Sequence, residues 1–568
     1  MRHRFLLLTL LLAAAPALAQ TPSTLSDPAL VQRYQATITP HELAAHLYVF
    51  ASDYFEGRET GTRGERLAAL YLAGQYQRMG VRPRGTLPAP GNYGLDAYLQ
   101  PFLLERDVTT RATLTATQNG RTLAATTFGP GLSDGQSYVA FGGATDAEAG
   151  VVFAGYGVQH ARYDDYAALQ QAGISTTGQW LLVLDAEPMD EDGRSLLTPD
   201  GAPTEATANP FRKLLTAFQT GGARGLIVVA DTDPRQPLSV AARGEAALAA
   251  VGALRLPGQG GGRRGFGVPP VFHVSSEWAD QVLLAGSGLT VAALRAEKAA
   301  TRTPRVFALP DVRVRGTIEK ATAPVPSANV LAFIEGSDPA LRDEVVVLSA
   351  HYDHIGIDGT RAGDQINNGA DDDGSGTVAL LEIAEAFRIA KDAGHGPRRS
   401  VLFLHVSGEE KGLLGSAYYA DAEPVFPLAQ TVANLNIDMI GRYDPTHPGA
   451  DSNYVYIIGG DLISQELHDW NAEANRRTGL GLDLSARFNS PDDPNQFFRR
   501  SDHWNFGKHG IPFIFYFTGT HEDYHQPGDT PDKIDYDRMA RIARLVFATA
   551  WQVANADSRP AVSGLGFN

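Results

Sequence analysis

Residues 344–353 read EVVVLSAHYD, and residues 367–376 read NNGADDDGSG, directly ahead of a helical pattern that runs to residue 393. The first stretch is a run of aliphatic, mostly β-branched residues that ends at His351, which is typical of a buried strand. The second places three aspartates immediately before a helix. A buried strand followed by a helix is the repeating unit of proteins built on a parallel sheet.

The same alternation of strand and helix continues along the C-terminal half of the chain. Strands rich in Val, Ile and Leu are separated by amphipathic helices, so we expect helices on both faces of the sheet. The sequence therefore predicts an α/β fold with a mostly parallel, mixed sheet. The predicted strands are 329–334, 344–350, 401–406, 431–437, 454–458 and 511–517, and the predicted helices are 376–393, 462–477 and 536–554.

The composition is that of an acidic globular protein. Of the 568 residues, 43% are hydrophobic and 20% are charged, which excludes a disordered or fibrous chain. Forty-eight basic and 64 acidic side chains give a formal charge of −16. An acidic chain without a local basic patch repels a phosphate backbone, so we expect no nucleic-acid partner.

The first 19 residues have the pattern of a secretory signal peptide. Arg2 and Arg4 precede an apolar run, residues 5–19, that ends in Ala-Leu-Ala. This run is shorter than the roughly 20 residues that cross a bilayer, and no later stretch reaches that length. We expect an exported protein, periplasmic or secreted, without a membrane span.

The chain contains no cysteine. Disulfides, thiol nucleophiles and thiolate metal sites are therefore excluded. Any metal site must be built from histidine, aspartate and glutamate.

Such side chains follow four of the six predicted strands and also precede the first predicted helix. Ligands of open α/β sheets bind beyond the carboxyl ends of the strands, so these side chains should meet at one edge. Each motif is common by itself, and their joint placement is what predicts a metal site. The side chains are His351 and Asp353 after 344–350, Asp371 to Asp373 before the helix, Glu409 and Glu410 after 401–406, Asp438 after 431–437, and Tyr524 and His525 after 511–517.

In these segments the chain resembles metallopeptidase family 28, the exported zinc aminopeptidases related to glutamate carboxypeptidase and the transferrin receptor. The resemblance implies the zinc-peptidase, phosphorylase-like version of the fold. It also extends to the N-terminal stretch LYVFASDYFEGRETGTRGE (47–65). The other matching stretches are SAHYDHIG (349–356), NNGADDDGSG (367–376), HVSGEEKGLLGS (405–416), NLNIDMIGR (434–442), SDHWNFGKHGIP (501–512) and DYHQPGDTPDKID (523–535).

The resemblance implies two Zn²⁺ per chain. His351 and Asp438 would hold one ion, Glu410 and His525 the other, and Asp372 would bridge them. Imidazole and carboxylate ligands suit zinc where no thiolate is present.

The resemblance also assigns roles around the two ions. Glu409 would be the general base for a metal-bridging hydroxide, and Tyr524 would donate to the oxyanion of the substrate. Asp353 would accept the second ring N–H of His351 and so fix its tautomer. A cis peptide bond at 372–373 is implied as well.

Residues 149–310 resemble a protease-associated domain inserted into the peptidase. The resembling pieces are VFAGYGV (152–158), QWLLVLDAEP (179–188) and GGARGLIVVAD (221–231). We therefore expect a smaller, β-rich unit there. The expected division is 1–19 signal peptide, 20–148 N-terminal part of the peptidase domain, 149–310 protease-associated insertion and 311–568 catalytic dizinc domain.

The function implied is an aminopeptidase that removes N-terminal residues from peptides with a free N-terminus. A dizinc carboxypeptidase would instead need an arginine clamp for the terminal carboxylate of the substrate. The clustered candidates for that clamp are Arg263, Arg264, Arg499 and Arg500. The sequence also leaves open a non-catalytic, transferrin-receptor-like binding protein and a single-zinc glutaminyl cyclase.

Overall fold

A computed structural model describes most of the chain. The predicted signal peptide, residues 1–19, and the candidate clamp residues Arg263 and Arg264 lie outside the described residues. The described residues are 27–88, 94–128, 140–142, 144–185, 187–202, 204, 210–229, 253–258, 270–359, 361, 363–447, 453–490 and 492–564.

One large mixed sheet forms the centre of the molecule. A separate short pair, β6 with β7, lies outside it. The strands are β1 (Arg82–Pro83), β2 (Leu99–Gln118), β3 (Arg121–Phe128), β4 (Ala140–Phe141), β5 (Thr145–Phe153), β6 (Gln159–His160), β7 (Tyr163–Asp164), β8 (Trp180–Leu184), β9 (Gly225–Val229), β10 (Val271–Val274), β11 (Phe307–Ile334), β12 (Val345–His351), β13 (Ser400–Val406), β14 (Thr431–Ile437), β15 (Tyr454–Ile458), β16 (Asp483–Ser485) and β17 (Phe513–Phe517).

The C-terminal half of this sheet has the order β16-β15-β17-β14-β12-β13-β11. Its four central strands, β13, β12, β14 and β17, are all parallel, and β15 and β11 flank them in the antiparallel direction. The carboxyl ends of the four central strands therefore lie at one edge. The prediction of a mostly parallel, mixed α/β sheet is confirmed.

Helices cover both faces of this half. The inward residues of β12 alternate between two cores: Val346 and Leu348 pack under α1, α2, α3, α8 and α13, while Val345 and Val347 pack on the opposite side. The α-helices are α1 (Pro28–Gln35), α2 (Pro40–Phe50), α3 (Arg63–Met79), α4 (Asp165–Gln171), α5 (Pro210–Gln219), α6 (Ser276–Trp278), α7 (Val291–Thr301), α8 (Gly376–Asp392), α9 (Leu414–Ala417), α10 (Gly460–Ile463), α11 (Gln465–Arg477), α12 (Trp504–Gly507) and α13 (Tyr536–Asn555).

The other half of the sheet belongs to a smaller unit around β5, β8, β9 and β10, which are parallel to one another. Trp180 is buried at its centre. The long strands β2 and β11 pair along almost their whole length and run through both halves. Because of this, the core of the smaller unit also takes Ala112 and Leu114 from β2, well before residue 149.

No helix in the described part of the chain is both long enough and apolar enough to cross a membrane.

Candidate metal centre

Three neighbouring strand ends place most of the predicted ligands. β12 ends at His351, Glu409 and Glu410 follow β13, and Asp438 follows β14. Parallel pairing sets His351 beside Val406, the last residue of β13. The predicted ligands are therefore brought to one edge of the sheet.

The first group of facing atoms lies around the His351 ring. Its Nε2 atom is 3.2 Å from Asp372 Oδ1 and 3.6 Å from Asp438 Oδ1. All three residues are buried. An imidazole nitrogen and two carboxylate oxygens at this spacing are able to hold one metal ion.

The second group lies around the His525 ring. Its Nε2 atom is 3.1 Å from Asp372 Oδ2 and 3.2 Å from Glu410 Oε2. Asp372 thus presents one carboxylate oxygen to each group. Each of the five predicted ligands thus has an atom in at least one of the two groups.

His354 competes with His525 for the second group. Its Nδ1 atom is 2.8 Å from Glu410 Oε1 and 3.8 Å from Asp372 Oδ2, and these three residues also form a set that could hold a metal. We favour His525, because its Nε2 is close to both carboxylates and His354 Nδ1 is already hydrogen-bonded to Glu410. His354 then orients Glu410, a role that the sequence did not indicate.

The two aspartates that flank Asp372 hold the loop in place. Asp373 accepts hydrogen bonds from the main-chain N–H groups of His351 at 3.2 Å and Met439 at 3.1 Å. Asp371 accepts from the N–H of Gly441 at 2.6 Å. In this run of three aspartates, the outer two therefore hydrogen-bond the loop to β12 and to the segment after β14, and the middle one faces the cavity.

A fourth aspartate also accepts hydrogen bonds from this loop. Asp529 is buried and accepts hydrogen bonds from the N–H groups of Asp371, at 3.0 Å, and Asp372, at 3.1 Å. The peptide bond between Asp372 and Asp373 is cis, so that prediction is confirmed.

The structure corrects the contact predicted for Asp353. His351 Nδ1 lies 3.1 Å from the main-chain oxygen of Asp353, whereas the carboxylate Oδ1 is 3.8 Å away. The carboxylate is turned elsewhere because it accepts hydrogen bonds from the Thr60 hydroxyl at 2.8 Å and from the Glu409 N–H at 3.2 Å. Asp353 therefore orients His351 through its backbone and Glu409 through its side chain.

Glu409 and Tyr524 both line the cavity beside the two groups. Glu409 Oε2 lies 4.0 Å from His351 Nε2. Burial raises the pKa of Glu409 well above its usual range. Burial likewise raises the pKa of Tyr524, so its hydroxyl keeps its proton and can donate it in a hydrogen bond.

The donor set fits metal ions. Four carboxylates, those of Asp372, Glu409, Glu410 and Asp438, line one cavity, and buried charges of one sign persist when they are paired or coordinate a metal. The His525 Nε2 atom is buried and makes no hydrogen bond of good geometry in the described structure, although two carboxylate oxygens are close to it. This is the pattern expected of an atom that serves as a metal ligand.

The cavity itself has a volume of about 640 Å³. Part of its lining is apolar and aromatic, which suits the side chain of a bound residue. The apolar lining residues include Leu413, Leu414, Met439, Phe497, Trp504, Phe515 and Phe517.

A buried arginine links the N-terminal segment to the ligand loops. Arg58 donates hydrogen bonds to four main-chain oxygens, those of Tyr352 at 2.9 Å, Asn368 at 2.6 Å, Gly369 at 2.8 Å and Phe50 at 3.3 Å. Burial lowers its pKa to about 10, which still leaves it charged at neutral pH. The stretch 47–65 contained this residue, but nothing in the sequence indicated its partners.

Replacing Arg58 by alanine is expected to lower the free energy of unfolding by about 3 kcal/mol or more. Each buried carbonyl left without a donor costs about 1–3 kcal/mol, and Arg58 serves four. Denaturant unfolding measures the change. The matched control is Arg63→Ala, in the same segment but exposed, for which a change within about 0.5 kcal/mol is expected. Equal effects of the two substitutions would contradict the role given to Arg58.

Parts of the chain are similar in sequence to known proteins. Residues 329–550 match the family described as Peptidase family M28. A probable zinc metalloprotease of Pyrenophora tritici-repentis is 30% identical over 296 residues, which cover 44% of this chain and 56% of that protein. The chain thus spans little more than half the length of that relative.

Two bacterial relatives are also similar. Aminopeptidase YwaD of Bacillus subtilis is 26% identical over 223 residues, covering 38% of this chain and 43% of that protein. The uncharacterized protein YfbL of Escherichia coli is 31% identical over 236 residues, covering 38% of this chain and 68% of that protein.

Proposed function

Since this chain belongs to peptidase family M28, we propose that it is an exported zinc aminopeptidase that removes N-terminal residues from peptides. The observation that carries the proposal is the arrangement of Asp372, whose two carboxylate oxygens face two separate groups of ligand atoms. The names of two relatives, a zinc metalloprotease and an aminopeptidase, support the metal and the reaction.

His351, Asp372 and Asp438 would hold one zinc ion, and His525, Asp372 and Glu410 the other. When bound, two adjacent zinc ions polarise a substrate carbonyl and make a water molecule acidic at neutral pH. Asp353 and His354 keep two of these ligands, His351 and Glu410, in position through hydrogen bonds.

Glu409 moves the proton in this proposal. Its side chain faces the same cavity as the ligands, and its backbone is held by the Asp353 carboxylate at 3.2 Å. The carboxylate accepts a proton from the attacking water and returns it to the amine of the departing peptide.

Tyr524 stabilises the charge that develops on the carbonyl oxygen. It belongs to the same loop as His525, and its ring stacks on the His525 ring with centroids 3.9 Å apart. A protonated phenol held at this place donates a hydrogen bond to an oxyanion.

The export signal and the accessory unit are parts of the same proposal. The pattern of residues 1–19 supports export to the periplasm or the medium. We assign residues 149–310 to a protease-associated insertion, whose parallel strands β5, β8, β9 and β10 lie in the half of the sheet away from the ligands.

A panel of fluorogenic substrates tests the proposal. Aminoacyl-coumarins with a free amine should be hydrolysed, and their N-acetyl counterparts should not. Hydrolysis of only the blocked compounds would exclude an aminopeptidase. Binding without hydrolysis of any member would favour a non-catalytic binding protein.

A further inference from the structure

Two arginines, Arg499 and Arg500, line the cavity. Arg500 is exposed, and one of its guanidinium nitrogens, Nη2, lies 3.5 Å from the Tyr524 hydroxyl. The guanidinium carbon is also 5.0 Å from the centre of the Phe497 ring. The Arg500 Nη1 atom donates a long hydrogen bond to the main-chain oxygen of Asn495 at 3.5 Å, so the guanidinium is held by an aromatic face and by two long hydrogen bonds.

Arg499 is held in a similar way. Its guanidinium carbon lies 4.6 Å from the centre of the Phe498 ring and 5.1 Å from that of Trp504. Both arginines line the cavity together with Glu409 and Tyr524. They are therefore within reach of any peptide that is bound there.

Neither arginine has a carboxylate partner within ion-pair distance among the described residues. Lys508, another cation of the cavity lining, does have one: it pairs with Asp421 at 2.6 Å. A guanidinium that is stacked on an aromatic ring and has no carboxylate partner is suited to bidentate binding of a substrate carboxylate.

The position of the arginines limits which part of a substrate they can bind. In the proposed function Asp372, Glu410 and Asp438 would hold the zinc ions, so the bond to be cleaved lies beside these residues. Arg499 and Arg500 are exposed, so a carboxylate that they bind belongs to a part of the substrate that extends toward solvent. An anionic group of the substrate is therefore expected on the released part.

We propose that Arg499 and Arg500 form a subsite for a carboxylate on the released part of the substrate, so that short or acidic peptides are preferred. The inference rests on the proposed aminopeptidase function. The carboxylate comes either from the C-terminus of a dipeptide or from an acidic side chain at the second position, and both present the same planar anion to the guanidinium groups.

Matched substrate pairs test the subsite on the full enzyme. Leu-Ala is compared with Leu-Ala-amide for the terminal carboxylate, and Leu-Asp-amide with Leu-Asn-amide for the side chain. The wild type should show a kcat/KM about tenfold or more higher for the carboxylate member of at least one pair, the order expected for a hydrogen-bonded charged group. The pair that shows the preference identifies the source of the carboxylate.

The variants are Arg500→Gln and the double substitution Arg499→Gln/Arg500→Gln, with Arg476→Gln as the control on an exposed helix end. The preference should fall in Arg500→Gln, disappear in the double variant and remain in the control. The preference is the ratio of two kcat/KM values measured on the same variant. A lower fraction of active enzyme therefore does not change it. The preference should also decrease at high salt.

Two results would overturn the inference: a wild-type ratio near one in both pairs, or a preference that survives the double substitution. The proposed function is tested separately with uncharged leucyl-coumarin, which does not carry a carboxylate. If leucyl-coumarin is not hydrolysed but N-acetyl-Leu-Ala is cleaved, the aminopeptidase function is refuted. The ratio of kcat/KM values within each substrate pair, measured on N-acetylated peptides, would then still test the subsite.

Discussion

Replacing Glu409 by glutamine is expected to lower kcat by about 10²–10⁴-fold, the contribution of a positioned acid–base group. Glutamine has nearly the same shape but cannot accept the proton of the attacking water. In the structure the Glu409 side chain belongs to neither group of facing ligand atoms, so zinc content and melting temperature should stay close to those of the wild type.

The neighbouring residue provides the matched control. Glu410→Gln removes an anionic ligand whose Oε2 lies 3.2 Å from His525 Nε2, so the zinc content should fall toward one per chain. Metal analysis by mass spectrometry beside steady-state kinetics separates the two effects. If Glu409→Gln lost zinc and Glu410→Gln kept it, the two roles would be interchanged. Full activity of Glu409→Gln would refute the general-base mechanism.

Replacing Asp372 by alanine should affect both metal ions at once. Its Oδ1 lies 3.2 Å from His351 Nε2 and its Oδ2 lies 3.1 Å from His525 Nε2. Zinc affinity should fall by more than the roughly 10–100-fold that loss of an outer-shell partner costs, and activity should be lost. Titration of the metal-free variant with zinc, followed by calorimetry, measures the affinity of each site.

Asp438→Ala is the comparison for that experiment. Asp438 is part of the His351 group alone, with its Oδ1 3.6 Å from His351 Nε2, so this variant should lose one ion and keep the other. The same metal stoichiometry for the two variants would argue against a shared aspartate.

The sheet architecture could be predicted from the sequence for a physical reason, whereas the division of the ligands between two ions came from the family resemblance. The strands of a parallel sheet are buried on both faces and appear as aliphatic runs, and their carboxyl ends meet at one edge. His351, Glu410 and Asp438 were therefore expected at one edge, and the pairing of β12 with β13 and β14 makes their strands neighbours. A residue that directly follows a parallel strand lies at the carboxyl edge of the sheet.

The contacts that could not be predicted join residues far apart in the chain. Arg58 and Gly369 are separated by 311 positions, and no periodicity of either segment indicates that they meet. The long pairing of β2 with β11, which runs through both halves of the sheet, could not be predicted either. It depends on how the two strands pair and not on the sequence pattern of either strand alone.

Side-chain direction was the other limit. The spacing of His351 and Asp353 fixed their proximity but not which oxygen of Asp353 meets the imidazole, and the structure assigns this contact to the main chain. Thr60, from the N-terminal segment, and the N–H of Glu409 draw the carboxylate away. His354 was missed similarly, because a lone histidine near a motif gives no sign of the carboxylate that it contacts.

The zinc content of the purified enzyme tests the central claim most directly, because two groups of ligand atoms that share Asp372 require two ions. Mass spectrometry on fully active protein should give about two zinc per chain. A chelator should remove both ions together with the activity, and added zinc should restore the two in parallel. Fully active protein with one tightly bound transition metal or fewer would contradict the account.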